Sequence, residues 1–250
     1  MTAIEAVTFD FWNTLVYELR GELRGRRLEA WSGLLEEAGY ALERVQLEAV
    51  FDGAWKAYLA SWHANEQFQA AQAAEHILEN LGFTVPDDVR ATLVQAFGDA
   101  GAAGGVELHL ADGVEECLRS LKDAGIKLGI ICDVGFTPSS MLRDHLIRHG
   151  VLPLFDHWSF SDEVGAYKPS PVIFEHAIEG LGGPVPERVA HVGDIRRTDV
   201  AGALAMGMVS VRYTGIEDDD SQPEPEAHHV VDHFDRLPAV LGITRPSSPQ

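Results

Sequence analysis

Lysine is scarce in this chain. Only Lys56, Lys122, Lys127 and Lys168 occur in 250 residues, and 19 Lys and Arg face 39 Asp and Glu, for a formal net charge of −20 at pH 7. Nucleic acid and an anionic bilayer repel such a surface, so both are excluded as expected partners. A small anion is not, because one bound ion or lysine can reverse the field inside a cleft. The two cysteines, Cys117 and Cys132, make neither a disulfide framework nor a CxxC site, and a reducing compartment is the default. No apolar run approaches the length needed to span a bilayer. The first residues lack the basic-then-apolar pattern of a secretory leader. The expectation is a cytoplasmic protein, monomer or homodimer. There is no internal repeat and no GxSxG for an acyl-transfer serine.

What is there is enough apolar residue, 46% of the chain, to bury a sizeable core. Its period changes along the chain. Residues 5–11 read as a short buried strand. From about residue 16 to 97 the period is helical. Leu28, Trp31, Leu35 and Ala38 share a face, and so do Val50, Phe51, Ala54, Trp55, Tyr58, Leu59 and Trp62. Phe68, Ala71, Ala74, Ile77, Leu78 and Leu81 follow, with Gly82 as a stop. Pro86 then opens a fourth run through Val89, Leu93, Val94 and Phe97. No strand is expected there, and helices alone between two sheet strands read as an insertion. Residues 98–105, GDAGAAGG, are a hinge candidate.

After them strands and helices alternate. Asp112 is placed to cap a helix that runs to Ala124, and residues 126–132 read as a buried strand. Helices start at Thr137-Pro138 and Ser170-Pro171, with a short strand at 157–160 between them. Strands at 189–192, 208–213 and 229–231 and a helix at 200–206 complete the pattern. The alternation implies a parallel sheet covered on both faces. Residues 217–226, acidic with two prolines, read as a solvated loop.

The organising stretch is residues 6–15, AVTFDFWNTL. Its apolar run ends in a carboxylate, Asp10, at the end of a strand where open parallel sheets place their ligands. Such a carboxylate can attack an electrophile, bind a hard metal ion, or merely cap the next turn. Three further pieces bear on that choice. Asp10-Phe11-Trp12-Asn13-Thr14 resembles DxDxT, the first motif of the haloacid dehalogenase-like hydrolase superfamily, with Trp12 in place of the second Asp. Residues 127–133, KLGIICD, resemble the second motif, an apolar strand ending in Ser or Thr, with Cys132 in that place. Lys168-Pro169 in GAYKPSP resembles the third. Gly193-Asp194 through Asp199, in HVGDIRRTDVAGA, resembles the fourth, GDxxxxD. Order and spacing agree over roughly residues 4–241.

The resemblance implies an α/β fold. It would have a Rossmann-like three-layer parallel core, residues 1–15 and 106–243, and an inserted α-helical cap of the subfamily I type, residues 16–105. A disordered tail, 244–250, would follow, and the active site would lie between cap and core. It implies Asp10 as the nucleophile of a covalent intermediate, usually at phosphorus. Mg²⁺ would be held by Asp10, Asp194 and the backbone carbonyl of Trp12, with Asp199 as a further ligand or behind them. Lys168 would contact the nucleophile and the transferring phosphoryl, and Thr14, Cys132 and Asp133 would hold phosphate. Attack by an anion on a phosphate dianion needs this neutralisation. A thiol is a poor donor, and Cys132 reads equally as a small buried hydrophobe.

Trp12 is the main departure. It can be neither acid for the leaving group nor base for water, assistance typically worth about 10²–10⁴-fold. Three outcomes fit: a slow or specialised phosphatase with another proton shuttle, a leaving group that needs no acid, or a phosphate- or partner-binding protein without turnover. Trp12 would then line the pocket and help select substrate. Dehalogenases of the same superfamily also lack the acid and need no Mg²⁺. A metal-independent 2-haloacid dehalogenase is therefore the alternative, and the intact Asp194 and Asp199 point away from it. Arg20 and Arg24, with Arg26 and Arg27, form either a clamp for an anionic substrate or a solvated helix face paired with Glu18, Glu22 and Glu29. Trp55, Tyr58 and Trp62 suit a core, and Arg196 and Arg197 suit phosphate or solvent equally. His145 with His149, and His229 with His233, are four apart but lack a third metal ligand. The expected activity is Mg²⁺-dependent hydrolysis of a small anionic, phosphorylated metabolite.

Overall fold

The structure, a computed structural model, describes residues 3–19, 21–102, 106–221 and 224–243. Arg20, part of the hinge candidate and the tail at 244–250 lie outside the described residues. Strands β1 (Ala6–Phe9) and β2 (Val16–Tyr17) precede helices α1 (Glu22–Glu37), α2 (Arg44–His63), α3 (Ala70–Glu79) and α4 (Asp87–Asp99). Then come β3 (His109–Leu110), α5 (Val114–Asp123), β4 (Lys127–Cys132), α6 (Ser139–Arg148), β5 (His157–Phe160), α7 (Ser161–Val164), α8 (Pro171–Gly180) and β6 (Val189–Gly193). A π-helical turn, Arg196–Val200, leads to α9 (Ala201–Ala205), β7 (Val209–Tyr213), β8 (His229–Val231) and α10 (Leu237–Val240).

The chain divides into two compact units. One is Met1–Tyr17, His109–Asp133 and Leu146–Gln250. The other is Glu18–Leu108 with Val134–His145. The second unit contains the four helices read between residues 16 and 105, and it also takes in residues 134–145, which the alternating pattern alone assigns to the sheet domain.

In the first unit six strands run parallel in the order β5-β4-β1-β6-β7-β8. The progress of the chain across the sheet reverses beside β1. That is where an open α/β sheet leaves a crevice at the carboxyl ends of its strands. β1 and β6 are buried throughout and β4 from Leu128 onward, which is why they read as near-continuous apolar runs. Thr8 and His191 break those runs. They are register partners across β1 and β6, and both are fully buried.

Three local expectations are corrected. β1 is shorter than residues 5–11: after Phe9 the ladder ends with Asp10 N donating to Val192 O at 2.8 Å. A strand does occur after residue 15, since β2 pairs antiparallel with β3; two residues carry no readable period. Gly113, not Asp112, precedes α5. It sits in the left-handed region (φ 78°) with no side-chain cap bond, and Val114 N donates to Ala111 O at 3.2 Å. The chain enters this helix through a tight turn that favours glycine.

In the second unit the apolar faces of α1 to α4 meet. Trp31 stands edge-on to Phe51 and Phe97, with ring centroids at 5.5 and 6.0 Å. Trp55 falls off that face, 48% exposed and stacked on Tyr58. His145 is a satisfied interior histidine, its Nε2 3.0 Å from Gly101 O. Arg27 does not belong to a solvated face. It is buried, with Nε donating to Phe97 O (3.0 Å) and Nη2 to Phe136 O (2.9 Å) and Thr137 Oγ1 (3.1 Å). Its guanidinium lies over the Phe97 and Phe136 rings. Burial lowers its pKa to about 10, which keeps it charged at neutral pH. Arg24 instead makes an exposed pair with Asp52 at 2.6 Å. No helix among the described residues is long and apolar enough to cross a membrane.

Arg27→Met would leave two carbonyls without their donor. At about 1–3 kcal/mol for each buried group left unpaired, urea unfolding should show a loss of about 2–6 kcal/mol. Arg24→Met should stay within about 1 kcal/mol, as exposed pairs do.

Candidate active site

Asp10 is held in place by the sheet. Its backbone N–H on Val192 O extends the ladder one residue past β1, and the chain then folds back at once. Leu15 N and Val16 N both donate to Phe11 O (3.0 Å), and Asn13 N donates to Val16 O (2.8 Å). Asn13 takes the left-handed conformation this requires (φ 53°), which asparagine tolerates better than most residues. Thr14 is fully buried in the turn, and its Oγ1 has no hydrogen-bond partner. Trp12 is half-buried, edge-on to Phe11 at 5.1 Å.

Lys168 meets Asp10 from the loop between α7 and α8. Its backbone N–H donates to Asp133 Oδ1 at 3.0 Å, so the residue after β4 holds the lysine's main chain. Its Nζ donates to Asp10 Oδ1 at 2.5 Å and to Asp199 Oδ1 at 2.6 Å, and all three side chains are buried. Asp199 stands in the π-helical turn, a winding that is frequent at functional sites. Its Oδ1 also lies 3.0 Å from His191 Nε2, while Oδ2 accepts from Ile195 N (3.1 Å) and Thr198 Oγ1 (3.3 Å). Glycine is required at 193, because a Cβ there would lie 2.3 Å from Asp199 Cγ.

Asp10, Asp194 and Asp199 each offer an oxygen within 4.8 Å of the others. Among the described residues this is the one group of three or more such side chains that could hold a metal ion. Asp194 is buried and its Oδ1 has no hydrogen-bond partner. Three buried carboxylates thus face one ammonium. Burial pushes Asp10 up to about 7, with Lys168 opposing and Asp199 adding. Burial also holds Asp194 well above the usual carboxylate range, with Asp10 and Asp199 adding. For Asp199 burial acts the same way, but Lys168 and His191 outweigh it and the group stays below its usual value. Burial lowers the pKa of the Lys168 ammonium, but Asp10 and Asp199 outweigh it and keep the group charged. The excess of hard oxygen donors over cation fits a divalent ion such as Mg²⁺. Each Asp199 oxygen already takes two donors. Asp194 Oδ1 is buried without a partner, while Asp199 both offers an oxygen to the cluster and binds Lys168.

Cys132 is fully buried, and burial with Asp10 nearby raises its thiol far above its usual value. It is neutral and packs as a small side chain. Arg196 is engaged elsewhere: Nη2 pairs with Glu226 (2.8 Å) and its N–H donates to Asp219 Oδ2 (2.6 Å). Arg212 on β7 pairs with Glu226 (2.9 Å) and with Asp218. The described residues of the acidic segment after β7 form an irregular, largely exposed loop, as the sequence suggested, and Asp218, Asp219 and Glu226 in it are bonded to Arg212 and Arg196. His229 lies on β8 and His233 beyond it, so the two share no helix face. Sequence reasoning missed Thr8 and His191. The available signal was a polar residue inside an otherwise apolar strand, three residues before Asp194.

A family model described as haloacid dehalogenase-like hydrolase matches residues 4–207. A glyceraldehyde 3-phosphate phosphatase of Methanopyrus kandleri is 33% identical over 51% of this chain and 53% of its own. The chain thus spans about half the length of that relative. An (S)-2-haloacid dehalogenase of Pseudomonas sp. strain YL is 29% identical over 73% of this chain and 71% of its own. The solved 2-haloacid dehalogenase of Pseudomonas syringae pv. Tomato DC3000 matches with a TM-score of 0.70 at 20% identity, over 96% of this chain and 98% of that one. At that identity the likeness speaks for the fold.

Without divalent ions, Asp10 and Asp194 bind protons more tightly in the folded chain than in the unfolded one. For Asp10 the stability contributed is present at low pH and is lost as pH rises from about 4 towards 7, the reverse of an ordinary paired carboxylate, and Asp194 acts in the same direction. Asp194→Asn removes one of the repelling acids. In chelator at pH 8 the variant should melt higher than the parent by ~2–4 °C, about 1 kcal/mol for a chain of this size, and the gap should close at pH 5. A variant less stable than the parent at pH 8 would contradict this.

Proposed function

Because the chain belongs to the haloacid dehalogenase-like hydrolase family, we propose that it is a Mg²⁺-dependent phosphatase acting on a small, anionic phosphorylated metabolite through an aspartyl phosphate on Asp10. The observation that carries this reading is the unpartnered, buried Asp194 Oδ1 in a cluster of three carboxylates and one lysine. A nucleophile that attacks carbon gains nothing from two further buried acids, which only repel it. A nucleophile that attacks a metal-bound phosphate has a use for Asp194. The relative named as a phosphatase supports the same reading. The relative named as a dehalogenase keeps carbon–halogen hydrolysis as the rival.

Mg²⁺, held by Asp10, Asp194 and the backbone carbonyl of Trp12, would supply positive charge to the oxygens of the transferring group. The chain's own residues do the rest. Asp10 attacks phosphorus in line with the leaving oxygen, and the phosphorus–oxygen bond to the leaving group breaks. Lys168, clamped by Asp133 and Asp199, keeps Asp10 oriented and offsets charge on the phosphoryl group. Thr14 Oγ1 donates to a phosphate oxygen, which gives that buried hydroxyl the partner it lacks. Water then attacks the phosphorus of the aspartyl phosphate, releasing inorganic phosphate and regenerating Asp10. Trp12 moves no proton in either step, so the leaving oxygen departs as the anion or is protonated by water.

Inorganic phosphate release from aryl, acyl and alkyl phosphates, with Mg²⁺ or with chelator, tests this. Release should need Mg²⁺ and vanish in Asp10→Asn. Aryl and acyl phosphates should outrun alkyl phosphates by about 10²–10⁴-fold, the value of the missing acid, and Trp12→Asp should narrow that gap. Full release in chelator, or by Asp10→Asn, would sink the proposal. Metal-free halide release from a 2-haloacid would establish the rival.

A further inference from the structure

We propose that His191 is a positioning residue for this site: through Asp199 it holds the Lys168 ammonium against Asp10. The inference rests on the phosphatase reading given above. His191 is fully buried in β6, and both of its ring nitrogens are used. Nδ1 lies 2.9 Å from Thr8 Oγ1, its register partner on β1, and Nε2 lies 3.0 Å from Asp199 Oδ1. One proton arrangement serves both contacts with a neutral ring. An Nε2–H that donates to the ionised Asp199 leaves Nδ1 to accept from the Thr8 hydroxyl at 2.9 Å, in preference to the longer 3.3 Å contact of that hydroxyl with Ala190 O. The ring is fixed from the side by Phe174, edge-on at 5.3 Å. Gly202 admits that phenyl, since a Cβ there would come within 2.4 Å of it.

An interior histidine needs only some acceptor. This one has chosen the carboxylate oxygen that also receives Lys168 Nζ. Lys168 is the one ammonium donating to these buried acids, so the direction in which Asp199 points decides where that charge sits. Losing the His191 donor removes one of the two donors on Oδ1 and leaves Asp199 held through Oδ2 by Ile195 N and Thr198 Oγ1, about which its Oδ1 can swing. Lys168 can then follow it away from Asp10. A network that holds a reacting group from behind is worth about 10–100-fold when broken in comparable metal sites.

The test compares His191→Asn, His191→Gln and the parent with p-nitrophenyl phosphate and Mg²⁺. A glutamine amide reaches the position of the imidazole Nε2, whereas an asparagine amide stops near Nδ1. His191→Asn should lower kcat about 10–100-fold with KM within about threefold, and His191→Gln should recover most of the loss. Wild-type kcat in a folded His191→Asn, or a glutamine variant no better than the asparagine one, overturns the proposal. A second measurement needs neither turnover nor a variant that folds. ¹⁵N spectra of histidine-labelled protein should show the His191 ring as the Nε2–H tautomer, and the Nδ1–H tautomer overturns the proposal. If the parent itself releases no phosphate, the functional reading fails and the tautomer alone decides the placement of His191.

Discussion

Everything in this site depends on one buried ammonium. Lys168 Nζ lies between Asp10 and Asp199, with Asp194 beside them, and among the described residues no second lysine pairs with these buried acids. Taking an ion out of water costs several kcal/mol, and an incompletely paired cluster recovers less than it loses. Such an arrangement is poor design for stability. It makes sense as a site prepared for additional positive charge and for a substrate that brings negative charge with it. The electrostatics are then a matter of arrangement before the substrate arrives, the condition under which charged groups contribute most to lowering a barrier.

The fold supplies the arrangement from remote parts of the chain. A parallel sheet ordered with β1 between β4 and β6 brings the carboxyl ends of three strands together. Asp10, Cys132 with Asp133, and Gly193 with Asp194 follow from that order alone. Finer placement comes from contacts that only this backbone permits. Gly193 leaves room for the Asp199 carboxylate, and the π-helical turn aims Asp199 back at Lys168. The Asp133 carboxylate holds the lysine's own main chain. No helix or strand propensity encodes these contacts, yet moving any one of them by about 1 Å would misplace the reacting group.

The strand-end acids were legible in the sequence because a strand buried on both faces is an apolar run, and an acid that stops such a run stands out. The four helices between β2 and β3 were legible because their apolar faces repeat over several turns. What escaped was whatever depends on a partner far along the chain. Arg27 sits among glutamates in sequence and looked solvated, yet its acceptors are the carbonyls of Phe97 and Phe136. The acidic residues after β7 form the exposed loop expected of them, but their pairing with Arg212 and Arg196 had no local signal. His191 lay in plain view as a polar residue in an apolar strand, and only the register with Thr8 and the reach to Asp199 give it a role. Residues 134–145 carry the helix pattern expected of them but cluster with the helical unit, which no periodicity records.

Trp12 marks the point at which the buried charges and the family pattern meet most sharply. The site keeps a buried strand-end carboxylate, a lysine and an open acid, but it has an indole where the proposed double displacement would use a proton carrier. The central claim is that Asp10 attacks phosphorus. The direct measurement is acid quenching of the enzyme with a phosphate donor and Mg²⁺, followed by mass analysis of the peptide that contains Asp10. A phosphoryl group on Asp10, abundant because Trp12 cannot activate the water that removes it, is the result predicted. An unmodified Asp10 under those conditions, together with a metal-independent carboxyalkyl ester on Asp10 after exposure to a 2-haloacid, would contradict it.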